Sequence, residues 1–421
     1  MRLLWLTNMA PGPVAQTLTG KAGSGLWVDH VLGDLMQIPG LQLRMLCPWG
    51  EEKQESLTEG CSYETFLKVP AEQVSREQED WFLRKLSAFQ PDVIHIWGTE
   101  FSHTLSMVRA AGRAGLLNRV VIGIQGLTQY VGLTYLEGLP LSVQKRFTLR
   151  DLLRQDNLLQ QQKTFLKRGE HEQEALKQVF HVIGRTQWDR ECMEKMAPQA
   201  EYHFCNETLR GSFYTGAWSW DACEKQRIFT SSRLYPIKGF HYVLEAYQEV
   251  LKTWPQAQLA VPGVDPLCHG KAKLRQDSYA RYLGELMKKY GLQGKIQYLG
   301  HLSEEEMKSE FLKANVYVLP STIENSSNSL GEAMLLGVPC VASRVGGTPS
   351  ILGEQEGILY ESSDPHELAE AISRVFSMEK TAEAMGKRAA DHGKMTHDPK
   401  ANFEALLKIY REIKEAAEHE V

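Results

Sequence analysis

Short apolar runs that alternate with helical patterns limit what this chain can fold into more than any other feature. Ten such runs have the length of buried strands, and the stretches between them space their apolar residues as amphipathic helices do. This alternation predicts an α/β protein built from doubly wound parallel sheets. The ten predicted strands are 3–6, 41–46, 93–96, 120–124, 179–183, 228–230, 258–261, 296–299, 316–319 and 340–342.

The length of 421 residues is enough for two or three domains with full cores. The pattern shifts near residues 211–223, where two tryptophans fall, and we place a linker there. We predict a first domain over 1–215, a second over 216–398 and a terminal helix over 399–421. In that helix Phe403, Leu406, Leu407 and Tyr410 share one apolar face.

Composition and charge exclude several classes of protein. The net charge of −5 argues against a general nucleic-acid binder, and no apolar stretch approaches the roughly 20 residues that span a bilayer. The first eight residues are too short for a signal peptide and are typical of a strand. Seven scattered cysteines without a C-x-x-C pair predict a reducing cytosol and no structural zinc.

A polar loop after the predicted strand 316–319 leads into a short helix. This helix is predicted to begin near Asn328 and to end at Gly337, with Pro339 just beyond. Free backbone N–H groups and the helix dipole make such a helix start a site for anions, phosphate in particular.

Two glutamates, Glu324 and Glu332, flank that predicted anion site. Phosphates repel carboxylates, so these side chains are expected to face a neutral group rich in hydroxyls, as a sugar is. The alternative is structural, because Ser329 and Glu332 have the spacing of a capping box, in which the glutamate only stabilises the helix start.

A second loop, after the predicted strand 228–230, carries two cations. Arg233 and Lys238 precede a helix that starts near Phe240, and loops at the carboxyl ends of strands are where open α/β sheets bind ligands. A guanidinium and an ammonium there would stabilise a diphosphate and the charge that builds on a leaving oxygen. The alternative is two solvated surface cations.

The stretch from Glu324 through Glu332 to Gly347 resembles the donor-site signature of retaining GT-B glycosyltransferases of family 4, the glycosyl transferases group 1 of bacterial surface-polysaccharide assembly. The resemblance is dense from about 227 to 360. It implies two Rossmann-like domains that face a cleft, with the terminal helix crossing back to the first domain. It also implies transfer of a hexosyl unit from a nucleotide-diphosphate sugar to a glycan or lipid-linked acceptor, without a metal or other cofactor.

The same resemblance assigns roles to individual residues. Glu324, which would bind the donor sugar, is expected to carry catalysis together with Arg233 and Lys238. The donor-binding residues would be Glu332 at the ribose, Asn328 and Ser329 at the diphosphate, Leu302 and Glu304 at the base, Gly25 in a glycine-rich loop, and Gln125 at the sugar. For Leu302, Glu304 and Gly25, an ordinary loop and helix start remains the alternative.

Gln125 marks a departure from that family. Many relatives carry a histidine here, and glutamine can supply its hydrogen bond but cannot titrate near neutral pH. A general base is therefore unassigned, and His95, Glu100 and His103 are substitutes near a strand end. A buried structural role is the alternative for His95. Arg185 is a further candidate cation, and Asn206-Glu207 stands where relatives have Asn-Gly.

Residues 145–168 combine seven basic with two acidic residues, interleaved with leucine pairs. Such a helix suits an anionic bilayer, and peripheral contact with the inner membrane face is one prediction. A solvated helix over core leucines is the other.

The sequence as a whole predicts a cytoplasmic transferase with a nucleotide-sugar donor and no nucleic-acid partner. Two rivals remain open: a GT-B-type sugar-nucleotide epimerase and a non-catalytic sugar-nucleotide-binding protein. An epimerase would need titratable acids at the sugar and no acceptor site.

Overall fold

The computed structural model describes residues 1–21, 27–231, 235–266 and 276–419. Its strands are β1 (Arg2–Thr7), β2 (Gln42–Trp49), β3 (Gln54–Thr58), β4 (Cys61–Leu67), β5 (Val93–Trp97), β6 (Val120–Gly123), β7 (His181–Gly184), β8 (Glu201–Phe204), β9 (Arg227–Phe229), β10 (Gln258–Val261), β11 (Ile296–Tyr298), β12 (Val316–Leu319), β13 (Cys340–Ser343) and β14 (Gly357–Tyr360). All ten predicted strands are therefore confirmed.

The helices connect these strands in the predicted alternation. They are α1 (Gly12–Thr19), α2 (Trp27–Leu35), α3 (Arg76–Phe89), α4 (Ser102–Arg113), α5 (Thr128–Thr134), α6 (Leu141–Gln144), α7 (Leu149–Arg154), α8 (Leu158–Leu176), α9 (Gln187–Met196), α10 (Phe240–Thr253), α11 (Ser278–Lys289), α12 (Glu304–Lys313), α13 (Asn328–Leu336), α14 (Thr348–Ile351), α15 (Pro365–Ser377), α16 (Thr381–Thr396) and α17 (Pro399–His419). Within the described ranges, no helix is both long and apolar enough to cross a membrane.

The chain divides into two compact units. The first comprises Met1–Tyr130, Thr164–Arg210 and His397–Val421, and the second comprises Val131–Lys163 and Gly211–Thr396. Segment 131–163 was predicted in the first domain but packs with the second unit. Its capping residue Asp151 accepts a hydrogen bond from Ser278, and Arg146 lies 3.0 Å from Glu285.

The first unit is built on an eight-stranded sheet. Its strand order is β3-β4-β2-β1-β5-β6-β7-β8, parallel except for the β3–β4 pair. Helices α3, α4, α8 and α9 bury one face of the sheet, while α1, α2 and α17 bury the other. The terminal helix contributes Leu406, Ile409, Tyr410 and Ile413 to that second core, so its predicted return to the first domain is confirmed.

The second unit has a six-stranded, wholly parallel sheet. The order is β11-β10-β9-β12-β13-β14, so the chain winds outward in one direction from β9 and in the other from β12. The direction of winding reverses between β9 and β12, and that reversal is the point at which open α/β sheets bind their ligands.

The predicted basic helix over 145–168 is wrong as a single element. Residues Gln155 to Asn157 separate α7 from α8, and Gln155 adopts a left-handed conformation (φ 52°) that ends α7. Leucines on the two sides of this break differ in burial: Leu158 lies in the core, whereas Leu152 and Leu153 are exposed. The alternative of a helix over core leucines therefore fails for α7.

Candidate active site

The loops that follow β9 and β12 are joined at the carboxyl edge of the second sheet. Gly239 adopts φ 63°, and a Cβ atom there would lie only 1.8 Å from the carbonyl oxygen of Pro320. The backbone N–H of Thr322 donates to the carbonyl of Ile237 over 2.8 Å. Only glycine permits this conformation together with this approach, so Gly239 sets the distance between the two loops.

Two predicted site residues meet across these loops. The ammonium of Lys238 lies 2.7 Å from Oε2 of Glu324, which also accepts a hydrogen bond of 2.9 Å from the hydroxyl of Ser321. Both charged side chains are partly exposed. Lys238 is therefore not the solvated surface cation of the alternative interpretation.

A third loop, after β13, fixes the backbone of Glu324. The N–H of Gly347 donates to the Glu324 carbonyl over 2.9 Å. Gly346 has φ 50°, and a Cβ atom at this residue would lie 2.0 Å from the same carbonyl oxygen. The turn at Gly346-Gly347 thus holds Glu324 in place, and three adjacent strands contribute loops to one site.

Helix α13 begins and ends as predicted, at Asn328 and before Gly337. Its N-cap is Ser327, whose hydroxyl accepts the N–H of Leu330. The capping box between Ser329 and Glu332 is therefore wrong, because the helix starts two residues earlier than that interpretation requires. Glu332 is buried in the second turn, on the helix face that Asn328 and Ser329 share.

A chain of hydroxyl groups connects the start of α13 with the loop after β9. The hydroxyl of Tyr317 lies 2.7 Å from Oγ of Ser231 and donates to Oγ of Ser329 over 2.8 Å, and Ser329 lies 3.0 Å from Oγ of Ser327. Burial raises the pKa of the Tyr317 hydroxyl, which remains protonated. These contacts hold the first turn of α13 against the site.

The predicted base-binding residues follow the edge strand β11. Leu302 is half-buried, and Glu304 opens α12 after the N-cap Ser303. The Glu304 carboxylate accepts the backbone N–H of Ser212 over 3.1 Å. Capping of α12 itself belongs to Ser303 and Glu306. Of the remaining predicted residues, Gly25 and Arg233 lie outside the described residues.

The first unit has its own reversal point, between β1 and β5. There the amide of Asn8 donates to Oε2 of Glu100 over 2.6 Å, and its oxygen accepts from Nε2 of His103 over 2.8 Å. Burial lowers the pKa of His103 to about 3, with Arg168 acting in the same direction, so this imidazole is a poor proton acceptor near pH 7. Burial raises the pKa of Glu100, against the hydrogen bond from Asn8 and the charge of Arg168.

Gln125 lies on the neighbouring strand end and is engaged with another side chain. Its amide donates to Oε1 of Glu207 over 2.6 Å, while Arg185 pairs with the other oxygen of that carboxylate and donates to the carbonyl of Ile124 over 3.1 Å. Arg185 and Glu207 are both buried. The side chains singled out at 125, 185 and 207 thus form one internally neutralised cluster.

Sequence reasoning missed Glu172 of α8. This buried carboxylate accepts the hydroxyl of Thr99 and the N–H groups of Thr128 and Gln129, and so caps the start of α5. Burial raises its pKa to about 7 in spite of these bonds. Its partners are more than 40 residues away in sequence, and no local pattern could have indicated the role. His95 is buried against Tyr410, as the structural alternative expected.

Two doubly wound sheets and a terminal helix that returns to the first unit define the GT-B fold. Sucrose-phosphate synthase from Thermosynechococcus elongatus superimposes with a TM-score of 0.71 at 17% identity, over 99% of this chain and 100% of that chain. Anabaena HepE in complex with UDP-glucose gives a TM-score of 0.62 at 15% identity and covers all of both chains. At these identities the likeness establishes the fold.

The similarity to a known family lies in the second unit. Residues 221–392 match the model of the family described as glycosyl transferases group 1. The D-inositol 3-phosphate glycosyltransferase of Corynebacterium jeikeium is 31% identical over 182 residues, which are 43% of this chain and 42% of that protein. The match to this relative therefore spans less than half of its length. Every described residue of the predicted donor site except Gln125 lies within the matched range.

Proposed function

We propose that this protein is a retaining glycosyltransferase that moves a hexosyl unit from a nucleotide-diphosphate sugar to a glycan or lipid-linked acceptor. The observation that carries the proposal is the contact between Lys238 and Glu324 at the reversal point of the second sheet, beside the start of α13. A cation and a helix N-terminus suit a diphosphate, while a carboxylate next to them suits sugar hydroxyls.

Each residue of the site has a role in this proposal. Lys238, with Arg233, neutralises the diphosphate and the charge that grows on the leaving oxygen, so no metal ion is required for that task. The N–H groups at Asn328 and Ser329 add the helix dipole. Glu324 holds the donor sugar, and Glu332 binds the ribose.

We propose that the diphosphate departs and the acceptor attacks on the same face of the sugar, which retains the configuration at the anomeric carbon. Departure of the diphosphate breaks the bond between the anomeric carbon and its oxygen, and the acceptor hydroxyl attacks from the same side. The leaving phosphate oxygen takes the proton of that hydroxyl. This route requires no enzymic base. In the first unit, His103 is a poor proton acceptor and Gln125 has no titratable group.

The similar proteins support a nucleotide-sugar donor. The Anabaena HepE structure contains UDP-glucose. Sucrose-phosphate synthase is named for a sugar-phosphate product and the D-inositol 3-phosphate glycosyltransferase for a phosphorylated cyclitol. For this chain we propose a nucleotide-activated hexose as donor and an acceptor from cytoplasmic assembly of a surface polysaccharide or glycolipid.

A donor screen followed by a transfer assay tests the proposal. Thermal shifts with UDP-, GDP- and ADP-glucose would identify the nucleotide, and release of nucleoside diphosphate would then be measured with candidate acceptors. Transfer with an α-linked product from an α-linked donor supports a retaining transferase. Isomerised sugar nucleotide without transfer would identify an epimerase, and binding without turnover a non-catalytic protein.

The more specific part of the proposal is an acceptor that is anchored in a membrane. Leu149, Leu152 and Leu153 share one face of α7 and are exposed, Leu153 by 78%, and Lys145 and Arg154 are exposed nearby in sequence. Apolar side chains flanked by basic ones suit the surface of an anionic bilayer. Each basic residue near such a surface contributes about 1 kcal/mol.

Vesicle co-sedimentation tests this surface. The protein should sediment with phosphatidylserine-containing vesicles at low salt and less at high salt, since the Debye length is about 10 Å at 0.1 M. The double variant Leu152→Gln/Leu153→Gln should lose binding, whereas Met395→Gln, which changes an equally exposed apolar side chain in α16, should retain it. Equal sedimentation of the two variants would rule out α7 as the contact.

A further inference from the structure

Two histidines and a glutamate converge at the edge of the first sheet, on neighbouring parallel strands. In the β7–β8 register His181 pairs with Glu201, and Ile183 pairs with His203. Because side chains alternate along a strand, His181, Glu201 and His203 all project from the same face. Ile183 projects from that face as well and belongs to the core that α17 covers.

The three side chains have the spacing of metal ligands. Nδ1 of His181 lies 3.1 Å from Nε2 of His203, and Oε2 of Glu201 lies 3.7 Å from the first nitrogen and 3.9 Å from the second. Ligand bonds of about 2.0–2.1 Å in tetrahedral geometry place donor atoms roughly 3.3–3.4 Å apart. The three observed distances lie on both sides of that value, so one ion could contact all three atoms after small side-chain movements.

The surroundings suit a bound cation that has one side open to solvent. Both imidazoles are largely withdrawn from solvent, whereas the Glu201 side chain is 67% exposed. The carboxylates of Glu201 and of Glu412 on α17 both act electrostatically on His203 and supply negative potential for a cation.

We propose that His181, Glu201 and His203 bind a divalent transition-metal ion, zinc by preference, with solvent at the fourth position. The absence of C-x-x-C pairs bears only on thiolate sites, and imidazole with carboxylate is an established zinc donor set. An ion held by both strands would fasten β8, which borders the described sheet, to β7. The proposed site does not depend on the proposed transfer reaction.

Metal titration of tag-free, chelator-treated protein tests the site. Calorimetry with zinc should show one saturable site per chain, and cobalt(II) should give the visible absorption of tetrahedral coordination. Bound zinc should raise the melting temperature, because it binds the folded state. His181→Asn, His203→Asn and Glu201→Gln should each weaken zinc binding at least tenfold.

The control is His366→Asn, which removes an exposed histidine that lies between the carboxylates of Glu249 and Glu370 in the second unit. It should leave the isotherm unchanged. If a histidine variant fails to fold, the largely exposed Glu201→Gln decides the question. Absence of saturable zinc binding, or binding that Glu201→Gln leaves intact, would overturn the site and leave an imidazole–imidazole hydrogen bond in its place.

Discussion

Both units are doubly wound α/β structures, but the side chains at the carboxyl edges of their sheets differ. In the second unit Lys238 and Glu324 form an ion pair whose side chains are 24% and 15% exposed. In the first unit Arg185 and Glu207 form one whose side chains are only 5% and 9% exposed, with Gln125 bound to the same carboxylate.

This difference in exposure has a structural origin. In the second unit, backbone contacts at Gly239, Thr322 and Gly347 hold the loops, so the charged side chains are not needed for that purpose. In the first unit the charged side chains themselves connect three strand ends. An ion pair that does not hold the loops together can be broken when a ligand binds. Breaking a buried ion pair that connects strand ends leaves an unpaired buried charge, which destabilises the fold.

Arg185→Ala should give the largest effect and should act on stability. It leaves the Glu207 carboxylate buried without its cation, which costs about 3–5 kcal/mol. Urea unfolding would measure the loss. Arg190→Ala is the matched control, because this arginine lies on the exposed side of α9 and should change stability by less than about 0.5 kcal/mol. Equal stability of the two variants would refute the structural role of the buried pair.

Lys238→Ala should act on turnover instead. Loss of a preorganised cation at a developing anion lowers kcat by roughly 10²–10³-fold, and the part-exposed ion pair contributes little to stability. Steady-state rates at saturating donor, together with a melting curve, separate the two effects. Lys252→Ala, in the last turn of α10, is the control. Near-native turnover of Lys238→Ala would mean that the second unit does not clamp the diphosphate here.

Glu332→Gln should affect nucleotide binding, whereas Glu324→Gln should affect turnover. The first should weaken binding of free nucleoside diphosphate by about 1.5–3 kcal/mol, the range for hydrogen bonds that involve a charged group. The second should depress turnover because the donor sugar is misplaced. Calorimetry with the nucleotide measures the first effect. Unchanged affinity of Glu332→Gln would contradict its assignment to the ribose.

Gln125→Ala should give the smallest effect. Glu207 keeps Arg185, so the loss is that of one hydrogen bond, about 0.5–1.5 kcal/mol of stability. If this amide only supports the cluster, kcat for donor turnover should stay within a few-fold of the native value. A more than tenfold fall in kcat at unchanged stability would instead support the predicted contact with the donor sugar.

The parts of the fold that were predicted correctly are those with signals in their own local sequence. Helix α13 has a serine N-cap, a glycine at its C-cap and a proline beyond, and both of its ends were found. The four strands that were missed are β3, β4, β8 and β14. β3 is largely polar and β8 has only four residues, and both border the described first sheet. Pairing with a neighbour, rather than an apolar run of their own, stabilises such strands.

In the candidate site, too, individual residues were predicted from local sequence, whereas the contacts between distant residues were not. Lys238 and Glu324 were each found from the loop that carries them, but their contact joins residues 86 positions apart. The engagement of Gln125 by Glu207 spans 82 positions and was not foreseen. The capping of α5 by Glu172 was equally invisible, since a capping residue is recognisable in sequence only when it precedes its own helix.

The sequence by itself determined the alternation of strands and helices, the start and end of α13 and the two loops that carry charge, because periodicity and capping depend on neighbouring residues. The tertiary structure alone decided that segment 131–163 packs with the second unit, that Glu207 neutralises Arg185, and that two histidines and a glutamate meet on β7 and β8. Those outcomes depend on strand order and on burial of side chains far apart in the chain, which no local pattern encodes.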